Sequence, residues 1–514
     1  MTLARPLLVV LLASPAAAFA ALETFNVMDF GAAPDGHTMN TAAFARTVDA
    51  CERQNGGTIV VPAGQYLTGA IELKSNMTLL LEPGSELLYS PNPADSPIVA
   101  SRWESTNAFI HAPLVYAEGA HNVAITGRGT LNGQGKNWWW RTWHYDPSRS
   151  AEIRPAREAW LRLYDQIEAG KKLTAADFSL AADYLRPPLV LFNGCKNVLI
   201  EGVTVMESPM WIIHPLYCEN VSIRDVTFIS TGPNGDGIDI DSSRDVRISD
   251  CFFNTGDDCI VIKSGRNADG RRTNKPSENI SISNCVMYRG HGAIAIGSET
   301  SGGIRDVVAS NIVSKGTDYG IRIKSERGRG NVIENLRFSN FVIDDAHEQG
   351  IEITGYYENE PPEPFSARTP IFRNIAFANF TIVGAAHVTS IRGLPEKAIE
   401  QIRFTDMTAT GDRGLVCEHS ADVEFHNVRI GAASGSAFTF THVSGIDLDG
   451  VTSLAPVAAT PVIALDSCSR VWLHDSRAAP GTDIFVRNRG SADTLQLTGN
   501  ELGSAKVDST ELSR

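Results

Sequence analysis

The sequence has no CxxC pair and no Cys/His spacing of a metal finger. Its eight cysteines (Cys51, Cys195, Cys218, Cys251, Cys259, Cys285, Cys417 and Cys468) are scattered over 514 residues. Several precede apolar strand-like runs, as Cys259 does before Ile-Val-Ile, so buried free thiols are expected rather than a disulfide framework. Positive charge is also scarce. Against 59 acidic residues stand 45 Lys and Arg, a net charge of −14. That balance argues against nucleic acid and anionic membrane surfaces as partners. An acidic small substrate stays open if its site is locally basic. Long apolar runs are missing too. The longest stretch, Leu7–Ala13, is too short to span a bilayer and stops at Pro15. With Arg5 before it and Ala18-Phe19-Ala20 after it, it reads as an export leader. The expectation is a leader over residues 1–20, then one soluble domain over 22–510 that is secreted or periplasmic, acts as a monomer and contacts no membrane once the leader is cleaved.

What is abundant is a repeated phrase. NVLIEGVTV (197–205) returns as NVSIRDVTF (220–228), DVRISDCFF (245–253), NISISNCVM (279–287) and several later copies, the last being TLQLTGNEL (494–502). NMTLLLEPG (76–84) and NVAITGRGT (122–130) are related phrases upstream. Most copies recur every ~22–27 residues, the signature of a solenoid. Each copy alternates β-branched and polar residues, which means strand and not helix. The fold class expected is all-β: a single-stranded, right-handed parallel β-helix. Residues 40–54 read as an amphipathic helix capping the first coil. Two interruptions, residues 137–187 with a helical pattern and an aromatic cluster, and residues 344–371, read as loops on the binding side.

Four consecutive coils carry matching strands: GDGIDIDS (235–242), GDDCIVIKS (256–264), GHGAIAIGS (290–298) and DYGIRIKS (318–325). Aligned on the final serine, Ile238, Ile260, Ile294 and Ile321 form one inward column. Ile240, Ile262, Ile296 and Ile323 form another. The alignment sets Asp236 level with Asp258, and Asp257 level with His291. Arg322 and Lys324 lie on the next coil. Asp239 and Asp241 point outward and are expected to bond neighbouring backbone amides. Lys263 is left open between a site role and a solvated face.

Crowded carboxylates split their pKa values, so that one keeps its proton while its neighbours ionise. A protonated acid beside ionised bases is the apparatus of glycoside hydrolysis. Asp257 is the candidate acid. Asp236 and Asp258 are the candidate pair that holds and deprotonates water, and His291 supports them. Inversion would require ~6.5–9.5 Å between acid and base. Arg322 and Lys324 would attract a substrate carboxylate. No metal or cofactor is called for.

These residues make the sequence resemble glycoside hydrolase family 28, the polygalacturonases. The family's N-T-D, G-D-D, G-H-G and R-I-K motifs stand here as Asn234-Gly235-Asp236, Gly256-Asp257-Asp258, Gly290-His291-Gly292 and Arg322-Ile323-Lys324. One departure is Gly235 in place of threonine. The resemblance implies the acid and base roles above, with Arg322 and Lys324 on the galacturonate carboxylate and Asn234 and Lys263 nearby. A family tyrosine matches Tyr357, with Tyr356 as the alternative. The implied activity is hydrolysis of α-1,4-linked galacturonic acid in pectin, and exo action is the expectation from the 137–187 insertion and SETSGG (298–303). Rhamnogalacturonan or xylogalacturonan hydrolysis on the same site is the alternative. The rivals of other classes are a Ca²⁺-dependent pectate lyase and a non-catalytic carbohydrate-binding β-helix.

Overall fold

The structure, a computed structural model, describes residues 23–142, 145–358, 360–490 and 495–510. The leader read over residues 1–20 lies outside the described residues. The strands stack in three parallel ladders. One contains Met77–Leu81, His121–Gly127, Lys196–Glu201, Glu219–Arg224, Arg244–Ser249 and Ser277–Ser283. A second contains Ser85–Tyr89, Thr130–Asn132, Thr204–Met206, Thr227–Ser230, Phe252–Thr255 and Val286–Tyr288. The third contains Val190–Asn193, Ile213–Leu216, Ile238–Asp241, Ile260–Lys263, Gly292–Ile296, Tyr319–Lys324 and Gln349–Thr354. This is the parallel β-helix that the repeat implied.

The repeated phrase has a physical reading at each position. Its leading Asn or Asp turns the corner in the left-handed region, as at Asn197, Asn220 and Asn279 (φ 56°, 58° and 57°), where these side chains cost least among non-glycine residues. The amide then bonds the equivalent residue one coil below: Asn122 to Asn76 at 2.9 Å, Asn197 to Asn122 at 2.9 Å and Asn220 to Asn197 at 2.7 Å. Inside, like stacks on like. Phe338, Phe377, Phe404 and Phe425 form a column with ring centroids 5.3, 4.7 and 5.1 Å apart. The isoleucines of the third ladder pair in the expected register, Ile238 with Ile260, Ile260 with Ile294 and Ile294 with Ile321. All are fully buried, each burial contributing about 1.5–3 kcal/mol.

Helix α1 (Thr41–Arg53) covers the open end of the first coil with Phe44, Val48 and Cys51. All eight cysteines are buried free thiols. The 344–371 interruption is narrower than expected. Gln349–Thr354 is a regular strand whose Ile351 and Ile353 continue the two columns, and only the stretch after it leaves the solenoid. A further excursion was not legible. Ile98–Trp103 and Thr106–His111 form an antiparallel hairpin. The 137–187 insertion contains α2 (Ser150–Glu168). Its Trp160, Leu163, Ile167 and Phe178 share a separate apolar cluster with Trp103 and Ile110 of the hairpin and Trp211 of the solenoid.

Candidate active site

The third ladder and the turns that lead into it carry the site. Asp236 precedes Ile238–Asp241, the doublet precedes Ile260–Lys263, and His291 precedes Gly292–Ile296. Successive turns touch because the backbone is pared down there. A Cβ at Gly256 would lie 2.3 Å from the Gly232 carbonyl oxygen. One at Gly235, the position that departs from the family motif, would lie 2.8 Å from the same oxygen. Glycine is therefore what this turn requires.

The two halves of the doublet face different ways. Asp258 is buried, and Lys324 Nζ donates to its Oδ2 at 2.9 Å while Gly292 N–H donates to Oδ1 at 2.8 Å. Burial pushes its pKa up, but Lys324 and then Lys263 outweigh that and hold it below the ordinary carboxylate value. Asp257 is more open. Its Oδ1 lies 3.4 Å from His291 Nδ1, and His291 Nε2 lies 3.5 Å from Asp318. Burial, reinforced by the neighbouring Asp258, raises the Asp257 pKa. Asp236 is raised as well, well above a normal carboxylate, by burial and by Asp239 and Asp257. One oxygen from each of Asp236, Asp257 and Asp258 lies within 4.8 Å of the other two. That is closer than the acid–base spacing expected for inversion, so stereochemistry does not follow from the distance. A hard cation would suit three such oxygens. Here two ammonium groups occupy that role, Lys324 on Asp258 and Lys263 at 3.4 Å from Asp236.

A cavity of about 180 Å³ opens over the carboxylates. It is lined by Asn234, Asp236, Asp257, Asp258, Lys263, Lys324 and Tyr357, together with Trp211, Glu104, Arg266, Glu299 and Glu358. Of the two tyrosines, Tyr357 faces it, with Lys324 Nζ 5.2 Å from its ring. Tyr356 instead packs against Arg327 and Arg392, each 5.3 Å from its ring. Arg322 is not among the lining residues. Its Nε donates to Glu352 at 2.8 Å, and its guanidinium lies 4.0 Å from the Tyr319 ring and 5.5 Å from that of Tyr357. Asn234 lines the cavity, but its Oδ1 accepts from Arg186 at 2.7 Å.

The outward carboxylates depart from expectation. Asp239 and Asp241 are fully buried and bond no backbone amide. Asp239 Oδ1 sits 3.0 Å from Lys263, and Asp241 accepts from Arg102 of the hairpin at 2.5 Å. The face they occupy is roofed by the hairpin and the insertion, so it is an interior. Lys263 is likewise buried against Trp211, 3.9 Å from the ring centroid.

Sequence reasoning missed Arg186, Arg266, Glu104 and Trp211. Arg186, at the end of the insertion, donates to the carbonyls of Pro209 and Pro233 at 2.6 and 2.9 Å and so clamps the turn that carries Asp236. Trp139 of the same insertion packs on Gly232, where a Cβ would lie 2.1 Å from its ring. No local pattern marks these contacts. The hairpin had one signal, two alternating runs separated by two residues. But Glu104-Ser105, both at positive φ (44° and 58°), replaces the Asn-Gly or Asp-Gly that usually marks such a turn.

The family model for glycosyl hydrolases family 28 matches residues 181–434. An exo-poly-α-D-galacturonosidase from Dickeya chrysanthemi is 30% identical over 466 residues, covering 84% of this chain and 75% of the relative. The chain belongs to glycosyl hydrolases family 28. Within that family, a probable polygalacturonase from Vitis vinifera is 29% identical over 74% of this chain and 73% of the relative. The crystal structure of a hyperthermoactive exopolygalacturonase from Thermotoga maritima superposes with a TM-score of 0.73 at 36% identity, covering 80% of this chain and 92% of that one. Residues 24–144 match a second model, rhamnogalacturonase A/epimerase, pectate lyase-like. Among the described residues no helix is long and apolar enough to cross a membrane.

Proposed function

We propose that this family 28 member hydrolyses the α-1,4-galacturonosidic bonds of polygalacturonan, releasing units from a chain end. The observation that carries the reading is the divergence of Asp257 and Asp258. They are adjacent, yet one is held ionised by Lys324 and the other is pushed towards its protonated form. Asp257 gives its proton to the leaving oxygen, with His291 against it. Asp258, aided by Asp236, binds a water and takes its proton as the water attacks the anomeric carbon from the other face. Attack by water on the face opposite the leaving oxygen is what would make the reaction inverting, and product stereochemistry followed by NMR tests it. Lys324 and Tyr357 meet the substrate carboxylate. Arg322, tied to Glu352, acts by holding the Tyr357 ring.

Charge in the cavity supports an anionic sugar. Six carboxylates and three cations line it, but burial raises Glu104, Asp236 and Asp257, so three of the six are held towards neutrality. That lowers the negative charge a uronate meets beside Lys263, Arg266 and Lys324. Exo action is supported by two features. The cavity is smaller than the ~300 Å³ from which ligand pockets usually start, which suits one sugar ring. Its Trp211 wall belongs to the same apolar cluster as the insertion and the hairpin. The reading includes export by the leader, action as a single chain and no required metal.

The test is to incubate the enzyme with polygalacturonate and with rhamnogalacturonan, with and without EDTA, and to follow product size. Galacturonate monomer from the earliest time, undiminished by EDTA, is expected. A ladder of oligomers would mean endo action, and an unsaturated ultraviolet-absorbing product would mean a lyase. Cleavage of rhamnogalacturonan alone would move the substrate, and cleavage of neither polymer would overturn the reading.

A further inference from the structure

Behind the catalytic carboxylates lies a buried acid that the proposed chemistry does not use. Asp239 is fully buried on the outward side of Ile238–Asp241 and is not among the residues lining the cavity. Neither of its oxygens has a hydrogen-bond partner apart from its ion pair. That pair is with Lys263, whose Nζ lies 3.0 Å from Asp239 Oδ1, 3.4 Å from Asp236 Oδ2 and 3.8 Å from Glu299 Oε2. One ammonium is thus shared by a carboxylate that faces substrate and one that cannot.

We infer that Asp239 is a positioning residue that draws the Lys263 ammonium away from Asp236 and thereby sets the pH at which Asp236 ionises. This rests on the proposed role of Asp236 in holding the attacking water. The argument is one of competition. If both acids ionised, two buried anions would share one cation. If Asp239 were absent, Lys263 would belong mainly to Asp236 and would hold it as a carboxylate. Burial raises both acids, Asp239 to about 8 and Asp236 well above its ordinary value, and the charge of Asp239 adds to the rise at Asp236 while the ammonium sits nearer Asp239. The other titratable groups that face this pair are Asp257 and Asp258 from the next turn, His214 level with Asp239 on Ile213–Leu216, Glu299 beyond Gly292–Ile296, Lys324 of Tyr319–Lys324, and Arg186 and Glu104 from the insertion and the hairpin. None of them lies between Asp239 and Lys263.

Two substitutions move Asp236 in opposite directions. Asp239→Asn keeps the shape, removes a repelling charge and leaves the ammonium to Asp236. Lys263→Met removes the attracting charge. An opposite charge at this range moves a carboxylate by about 1–3 pH units, and a shared one by the lower figure. The expected result is an acidic limb of kcat/KM displaced about one unit downward in Asp239→Asn and upward in Lys263→Met. Infrared titration of the buried carboxyl band, assigned by its loss in Asp236→Asn, reads the same shifts without substrate. A wild type that cleaves no galacturonan would sink the functional reading and leave the infrared result to decide this one. Limbs and titrations that stay in place, or that move the same way in both variants, overturn the inference. Should Lys263→Met fail to fold, an unmoved titration in Asp239→Asn overturns it alone.

Discussion

Replacing Lys324 by methionine isolates what would let Asp258 act as the proposed base. In the native protein the ammonium is 5% exposed and the carboxylate 2%, with 2.9 Å between them. Asp258 keeps one other hydrogen bond, from Gly292 N–H. Removing one partner of such a pair strands a buried charge and costs about 3–5 kcal/mol. The sign follows from linkage. The native Asp258 pKa lies below its unfolded value, so the pair stabilises the fold above the ordinary carboxylate value of 3.8 and loses that contribution as pH falls through the folded pKa. In Lys324→Met only Lys263, Arg322 and the Gly292 N–H are left to oppose burial, so its pKa rises. The stability deficit should be small near pH 4 and grow towards neutrality. Thermal unfolding of both proteins across that range measures it. Activity should fall too, with the acidic limb moving upward because the base now carries a proton in the working range. Adding Asp258→Asn should recover most of the lost stability, since no stranded charge remains, but none of the activity. A deficit that is the same at both pH values, or a double variant no more stable than Lys324→Met, would refute the reasoning.

Asp257→Asn should lower kcat by about 10²–10⁴, the usual contribution of a general acid, while oligogalacturonate affinity by calorimetry stays within a few-fold. Arg186→Met removes donors to the Pro209 and Pro233 carbonyls and to Asn234. A loosened Asp236 turn should reduce kcat roughly 10²-fold with little change in KM, measured by steady-state kinetics. Tyr357→Ala should raise KM for galacturonate oligomers and Tyr356→Ala should leave it unchanged, since only the first ring lines the cavity. Restoring the family threonine with Gly235→Thr should reduce activity, because its Cβ would meet the Gly232 carbonyl at 2.8 Å; an active variant would show that this turn can shift.

Much of the molecule was legible because a solenoid repeats its physics. The isoleucine columns, the capping helix and the adjacency of Asp236, Asp257, Asp258 and His291 all follow from one period and an alternation of two. Once each coil stacks in register, residues distant in sequence become neighbours at a known level. This is why one chain, without relatives beside it, pointed to a carboxylate cluster of glycosidase type.

What the sequence could not specify was everything that depends on a departure from the repeat. Asp239 and Asp241 occupy outward positions and were expected to bond neighbouring backbone amides. Burial of those positions is decided by the Ile98–His111 hairpin and the 137–187 insertion, which fold over them. The same cover introduced Arg102 and Arg186 and brought Glu104 to Arg266, pairings between residues far apart in the chain that leave no local spacing to read. Arg322 and Lys324, two residues apart on one face of a strand, were expected to share a ligand. Tertiary packing parted them, Arg322 to Glu352 and Lys324 to Asp258. The sequence by itself determined which residues share a coil level. Only the tertiary structure decided which of them are dry, because burial is set by what lies on top, and in this site burial decides which carboxylates keep their protons.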